Sequence, residues 1–259
     1  MRIQGKDCTL TVARDGEFIP IPYSEETVRQ TSKGYSLPSC IGQRNRDKTI
    51  VIGKKIEGCF TTRLEHSNIV PLFLLFFYVN QSFDVYADRG FEKIIYKNIN
   101  TCGFEFRGDN GEAFKLRVDV KENEDSFTDS WPLTIPDLSW IRQRTYFYDG
   151  KSVGCELKTL PLVYRFELTA SFNEKIKYQI KLYFPLSTEH SPVNDRIEKL
   201  SIVIDQKDGI TLDVYDLVPS GGLCDINCSD TVLCNQLFDV LGIILLTVRN
   251  EKEFTQIVL

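Results

Sequence analysis

Apolar and polar residues alternate over long stretches of this chain, and a period of two marks a strand with one face against a core. From Ile50 to Glu65 the even positions carry Ile50, Ile52, Lys54, Ile56, Gly58, Phe60, Thr62 and Leu64, while Lys55, Glu57, Thr61, Arg63 and Glu65 fall on odd ones. The pattern predicts a strand with its even face buried, long enough to require a bend at Gly53 or Gly58. Cys59 lies on the polar register and is expected to react before Cys102.

The same rhythm predicts three hairpins. Asp109-Asn110-Gly111 joins Cys102–Arg107 to Glu112–Lys121, where Phe114, Leu116, Val118 and Val120 form one face. Asn173-Glu174 separates the face Leu162, Tyr164, Phe166, Leu168, Ala170, Phe172 from the face Ile176, Tyr178, Ile180, Leu182, Phe184. Lys207-Asp208-Gly209 links Arg196–Asp205 to Ile210–Val218. Helix is predicted sparingly. Ser67 or Asn68 can cap a segment to Tyr78 that has Pro71 in its first turn and is apolar all round, so it must be buried. A second helix is expected from Ser229 to Leu241, with Leu233, Cys234, Leu237, Phe238 and Leu241 on one stripe, although Val232 and its flanks also permit a strand.

Two stretches read as irregular, a loop over 17–48 and a connection from Asn123 to Trp140. The second predicts a division into a β domain over 1–125, a linker over 126–140 and a second β domain over 141–259. Each half holds strands around one apolar segment, which suggests a duplicated plan without a sequence repeat.

Of 259 residues, 42% are hydrophobic, which is ample for one large core or two smaller ones. The formal charge of −5 lacks the basic footprint of a protein that grips nucleic acid tightly. The longest apolar run, Ile69–Val79, is too short for a membrane-spanning helix, and the first residues lack a signal-peptide pattern. The chain is therefore expected to remain in the cell that makes it, with its eight dispersed cysteines reduced.

Candidate chemistry is thin. Cys224, Cys228 and Cys234 lack paired zinc-knuckle spacing, so buried or loop thiols are expected and no metal. His66 precedes a helix cap and His190 lies in a polar loop; neither sits in a catalytic signature, and no nucleophile elbow, zinc-protease or phosphate-loop motif is present. The sequence reads as a protein without catalytic residues or a cofactor. The basic run Arg44, Arg46, Lys48, Lys54, Lys55 suits either solvent or a contact with an acidic face of another subunit.

The arrangement EETVRQTSKGYSLPSC, a basic loop, then GKKIEGCFTTRLEHSNIVPLFLLFF resembles the tail tube proteins of long-tailed bacteriophages, in which a long strand leads into a short apolar helix. Gly53, Gly58, Leu64 and Leu72–Phe77 occupy those roles. YKNINTCGFEFRGDNGEAFKLRVDVK is similar to the family's closing hairpin, and RFELTASFNEKIKYQIKLYFP to its late strands or to a second tube-like domain. The resemblance implies a mainly β, tail-tube-like sandwich or barrel with one short helix per unit, in one domain or two in tandem. It also implies a virion protein assembled in the host cytoplasm: trimeric pseudo-sixfold or hexameric rings that stack on one another, meet other tail proteins and pass DNA without sequence-specific binding. Arg44, Arg46, Lys48, Lys54, Lys55, Glu57, Thr61, Arg63 and Glu65 would then face a neighbouring subunit or the channel. The competing reading is a β-sandwich module for carbohydrate or receptor binding, with Trp131 and Trp140 as its available aromatic platform.

Overall fold

The computed structural model describes residues 8–37, 48–77, 81–130, 145–156, 160, 162–172, 175–185, 195–207, 209–226, 232–249 and 254–258. The protein is mainly β and antiparallel. Its strands are β1 (Thr9–Arg14), β2 (Glu17–Pro20), β3 (Tyr23–Glu26), β4 (Arg29–Leu37) and β5 (Lys48–Arg63). The helix α1 (Ile69–Phe76) follows, then β6 (Phe83–Asp88), β7 (Lys93–Asp109), β8 (Lys115–Ser130) and β9 (Val153–Cys155). The chain continues through β10 (Arg165–Phe172), β11 (Ile176–Pro185), β12 (Ile197–Asp205), β13 (Ile210–Ile226), β14 (Val232–Val240), β15 (Ile244–Arg249) and β16 (Phe254–Val258).

Two compact units interleave along the sequence. One comprises Met1–Phe60, Asn80–Thr101 and Asp119–Trp140; the other comprises Thr61–Val79, Cys102–Val118 and Ile141–Leu259. This differs from a division at a linker over 126–140, since β8 runs to Ser130 and residues 131–144 lie outside the described set. β5 and β8 have 16 residues and β7 has 17, about 50 Å or more at about 3.3 Å per residue, and each gives one end to each unit.

In the first unit, the N-terminal part of β7 pairs with β6, β6 with β1 and β1 with β2, while β5 carries β3 and β4. Leu10, Val12, Ile21, Val28, Ile56, Phe60, Val85, Tyr96 and Ile99 form its core. Where a loop over 17–48 is expected, β2, β3 and β4 occupy most of the stretch, and 38–47 lie outside the described residues. The strand signal is weak there because β2 and β3 have no fully buried position, so nothing forces apolar and polar residues to alternate. β6 and β7 lose register between Phe83 and Val85. Asn98, at φ 58°, takes up the extra residue and donates its N–H to Asp84 Oδ1 at 2.9 Å; asparagine tolerates this left-handed conformation.

β5 also departs from the simple alternation. Ile56, Phe60 and Leu64 are buried as expected, but Cys59 is buried too, at 6% exposure. Gly58 has φ 154°, and a Cβ there would stand 2.5 Å from Val28 Cα. The Thr27–Val28 backbone thus crosses β5 closely: Thr27 N–H donates to the Cys59 carbonyl at 2.9 Å, and Cys59 N–H to Thr27 Oγ1 at 3.0 Å. That crossing covers the thiol, so Cys59 is more buried than half-buried Cys102, against the expected polar-side exposure.

In the second unit the strand order is β16-β15-β13-β14-β11-β10 and then the C-terminal part of β7, with β12 and β9 reached through β13. An aromatic core fills it. Phe106 meets Phe166 at 5.3 Å, Phe114 at 5.5 Å and Phe73 of α1 at 5.9 Å, and Tyr148 meets Phe166 edge-on at 5.3 Å. Gly108 makes room for it, since a Cβ would lie 2.5 Å from Phe166 Cε1. α1 buries Ile69, Leu72, Phe73, Leu75 and Phe76 as its apolar sequence requires. Asn68, 1% exposed, accepts from Glu65 N–H at 2.8 Å and donates to the Arg63 carbonyl at 3.0 Å, which ties the end of β5 to the helix start.

The expected helix over Ser229–Leu241 is corrected to the strand β14. It pairs with β11 on one side and β13 on the other, and Cys234, Gln236, Phe238 and Val240 are buried with a period of two. Neighbours on both edges override a helix-compatible leucine spacing, and the inward Gln236 hides the strand pattern. Among the described residues α1 is the only helix, so one helix per unit is not found. Cys234 is disulfide-bonded, which corrects the expectation that all eight thiols are reduced; Cys224 stands opposite it in the β13–β14 register, and Cys40 and Cys228 lie outside the described residues.

Candidate functional site

The residues expected to meet a neighbour or channel are divided between the units. Lys54, Lys55 and Glu57 belong to the first, Thr61, Arg63 and Glu65 to the second. Arg44 and Arg46 lie outside the described residues, and Lys48 begins β5. Lys54 is exposed although it shares the parity of buried Ile56. Lys55 Nζ lies 2.7 Å from Glu57 Oε2, both side chains being more than a third exposed. Arg63 is exposed; Glu65 bridges to Thr145 and accepts from its hydroxyl at 3.4 Å. His66 is exposed, with its ring 6.1 Å from Tyr146. His190, Trp131 and Trp140 lie outside the described residues.

A half-buried ion pair, not apparent in the sequence, fastens β3 in the first unit. Arg89, in the β6–β7 turn, donates to both Glu26 oxygens at 2.9 and 2.8 Å, to the Val28 carbonyl and to Glu92 at 3.0 Å. Its guanidinium also lies 5.9 Å from the Tyr96 ring centre. Glu26 is only 6% exposed, and the pair with it raises Arg89 above the usual guanidinium range. Burial and the neighbouring Cys8 push Tyr23 on the same strand up to about 12. These groups satisfy one another, and their chemistry is that of a clamp.

In the second unit, β7, β10, β11 and β14 carry a lattice of alternating charge on their polar face. The register sets Arg107 beside Glu167 and Glu167 beside Lys181, with Asp109, Arg165 and Tyr183 in the next row. Arg107 Nε lies 2.6 Å from Asp109, Arg165 pairs with Glu167, and the Tyr183 hydroxyl donates to Glu167 at 2.8 Å. Arg165 also covers the Tyr183 ring at 4.7 Å. Further along, Gln179 Nε2 donates to Asp239 at 2.6 Å, which holds that carboxyl below its usual range. Glu105 departs the other way: burial, then the Glu167 charge, raises it.

A groove of about 540 Å³ lies along β12, β13, β15 and β16 of the same unit. Lys199, Ser201, Asp213, Tyr215, Thr247 and Arg249 line it. Lys199 Nζ is 3.4 Å from Asp213 and 5.7 Å from the Tyr215 ring centre, and Ser201 donates to Asp213 at 2.6 Å. A separate, smaller pocket of about 290 Å³ in the same unit bears Asp149, which burial pushes up but which the Ser152 hydroxyl and the Lys151 and Ser152 N–H groups hold below its ordinary value.

Strand edges are the remaining feature. Among the described residues β2 pairs with β1 alone, β4 with β5 alone and β16 with β15 alone. Each such edge presents unpaired N–H and C=O groups to whatever strand arrives. Among the described residues no group of three histidines, cysteines or carboxylates is placed to hold a metal, and no helix is long and apolar enough to cross a membrane. No family model matches the chain, and no curated protein matches it in sequence.

Proposed function

We propose that this is a structural virion protein that assembles into rings, stacked as the tail tube of a long-tailed bacteriophage and serving as a conduit for DNA. The observation that carries the reading is the open antiparallel sheet: strands of 16 and 17 residues whose outer members are each paired on one side. Such edges favour aggregation unless a specific partner completes them, and a head-to-tail contact that closes by rotation uses them productively. The sequence resemblance to tube proteins and the net charge of −5, which would let DNA slide past without sticking, support the same reading. Negative-stain microscopy of the purified chain is expected to show rings or short tubes. Monodisperse monomers across concentration and salt would overturn it.

The groove on β12, β13, β15 and β16 supports a second reading, a carbohydrate- or receptor-binding virion module, since it offers hydroxyl, carboxylate and ammonium groups beside Tyr215. A monomer that binds neutral oligosaccharides and loses them on Tyr215→Ala would favour that reading over the first.

A further inference from the structure

The open edges are not alike. β2 carries Glu17 and Pro20, and β4 carries Arg29 and Lys33, the devices by which sheets discourage unplanned pairing. β16, with the sequence Phe254-Thr255-Gln256-Ile257-Val258, has no charge and no proline. It pairs with β15 over its whole length and, among the described residues, with nothing on its other side. Its inward position, Ile257, is 3% exposed, whereas Phe254 and Val258 are 60% and 57% exposed and share a face with exposed Gln256. Two large apolar side chains are therefore largely exposed, Phe254 with only the Arg249 guanidinium 5.4 Å from its ring centre among the contacts described, on a strand whose outer edge has no partner strand among the described residues.

We propose that β16 is a dimerisation edge that accepts β16 of a second copy in antiparallel register centred on Gln256. The occupant follows from the chemistry of the strand. In that register Phe254 of each copy stands opposite Val258 of the other, so both exposed apolar pairs are covered at once. Gln256 faces Gln256, and a primary amide is complementary to itself because it both donates and accepts. Thr255 stands opposite Ile257, and no like charges meet. Shifting the register by one residue would move the exposed positions opposite inward-facing ones and lose the match. The contact is isologous, hence separate from the head-to-tail contact that closes a ring, which is left to the β2 and β4 edges, and it stands on β16 whether or not the chain forms tubes.

Directly opposed residues of an antiparallel pair have Cβ atoms about 4.5–5.5 Å apart, within reach of a disulfide. Gln256→Cys under mild oxidation is therefore expected to give a covalent dimer containing a 256–256 linkage by peptide mass spectrometry. Phe254→Cys, whose counterpart in the second copy lies about 14 Å along the strand, is expected to crosslink to itself about ten-fold less. Mixing Phe254→Cys with Val258→Cys restores the linkage. Adding Val258→Lys to Gln256→Cys removes it while circular dichroism shows the fold retained. Equal self-crosslinking at 254 and 256, or none at 256 in a folded chain, overturns the proposal.

Discussion

Glu105 stands on β7 opposite Thr169, with Glu167 near enough that burial and like charge together raise its carboxyl. A carboxyl whose folded pKa is raised contributes stability that is complete below its ordinary pKa and is lost as the pH rises through the folded value. At neutral pH the charge is therefore a cost, and Glu105→Gln should raise the melting temperature at pH 7. The advantage should vanish by about pH 4, where the wild-type carboxyl is neutral as well. Thermal unfolding of both proteins across that range measures it; a variant less stable at pH 7 would refute the sign. Asp149 and Asp239, held low by hydrogen bonds, run the other way, contributing above the ordinary carboxylate pKa and losing that contribution as the pH falls. Cysteines divide as sharply. Cys59 lies beneath the Thr27–Val28 crossing while Cys8, Cys102 and Cys155 are half-buried, so timed iodoacetamide labelling of the native protein should leave Cys59 until last among these four.

At the level of elements, β5 depends on a single missing side chain. Gly58→Ala would place a methyl 2.5 Å from Val28 Cα and 2.6 Å from the Thr27 carbonyl, both backbone atoms that cannot turn aside. The chain must either shift the β3–β4 connection or lose the Thr27–Cys59 hydrogen bonds, at about 2–4 kcal/mol. Gly53→Ala, where the nearest atom is the flexible Lys33 Cδ at 3.9 Å, is the control and should cost under about 1 kcal/mol; equal destabilisation in urea unfolding would refute the account. The sequence makes the hairpins legible because β10, β11, β12 and β13 each bury one face, so alternation and turn residues agree. The α1 segment is legible for the opposite reason, being apolar on every side. β14 is not, since Gln236 faces inward and breaks the binary code. β2, β3 and β4 are not either, for their partners are chosen by distant strands and not by local residues.

For the whole molecule, the proposed subunit contact at Lys54 and Lys55 makes a separable forecast. Both side chains are partly or fully exposed and the Lys55–Glu57 pair is a surface one, so reversing both lysines to Glu should change monomer stability by no more than about 1 kcal/mol. Ring or tube formation should nonetheless fall, as counted in negative-stain fields at matched concentration. Unaltered assembly, or a marked loss of monomer stability, would place the interface elsewhere. Of the candidate surfaces, only the mixed charge of β5 was legible in the sequence. The charge lattice around Arg165 and Glu167, the Arg89–Glu26 clamp and the groove beside Tyr215 assemble from residues tens of positions apart, and no local spacing announces them.

The three long strands shared by the two units bear on how this gene can be cut. An expression fragment ending at residue 130 would contain every described strand of the first unit. It would also carry Phe104, Phe106 and Phe114, now stripped of Phe166, Phe172 and Tyr148. The complementary fragment, beginning at 141, would keep β10 without the edge of β7 that it pairs with along seven residues. Neither piece is a natural module. Dissection of this polypeptide into independently soluble halves is therefore expected to fail, and a fusion tag or inserted epitope belongs in an exposed turn such as Asp15–Gly16 rather than at any midpoint of the coding sequence.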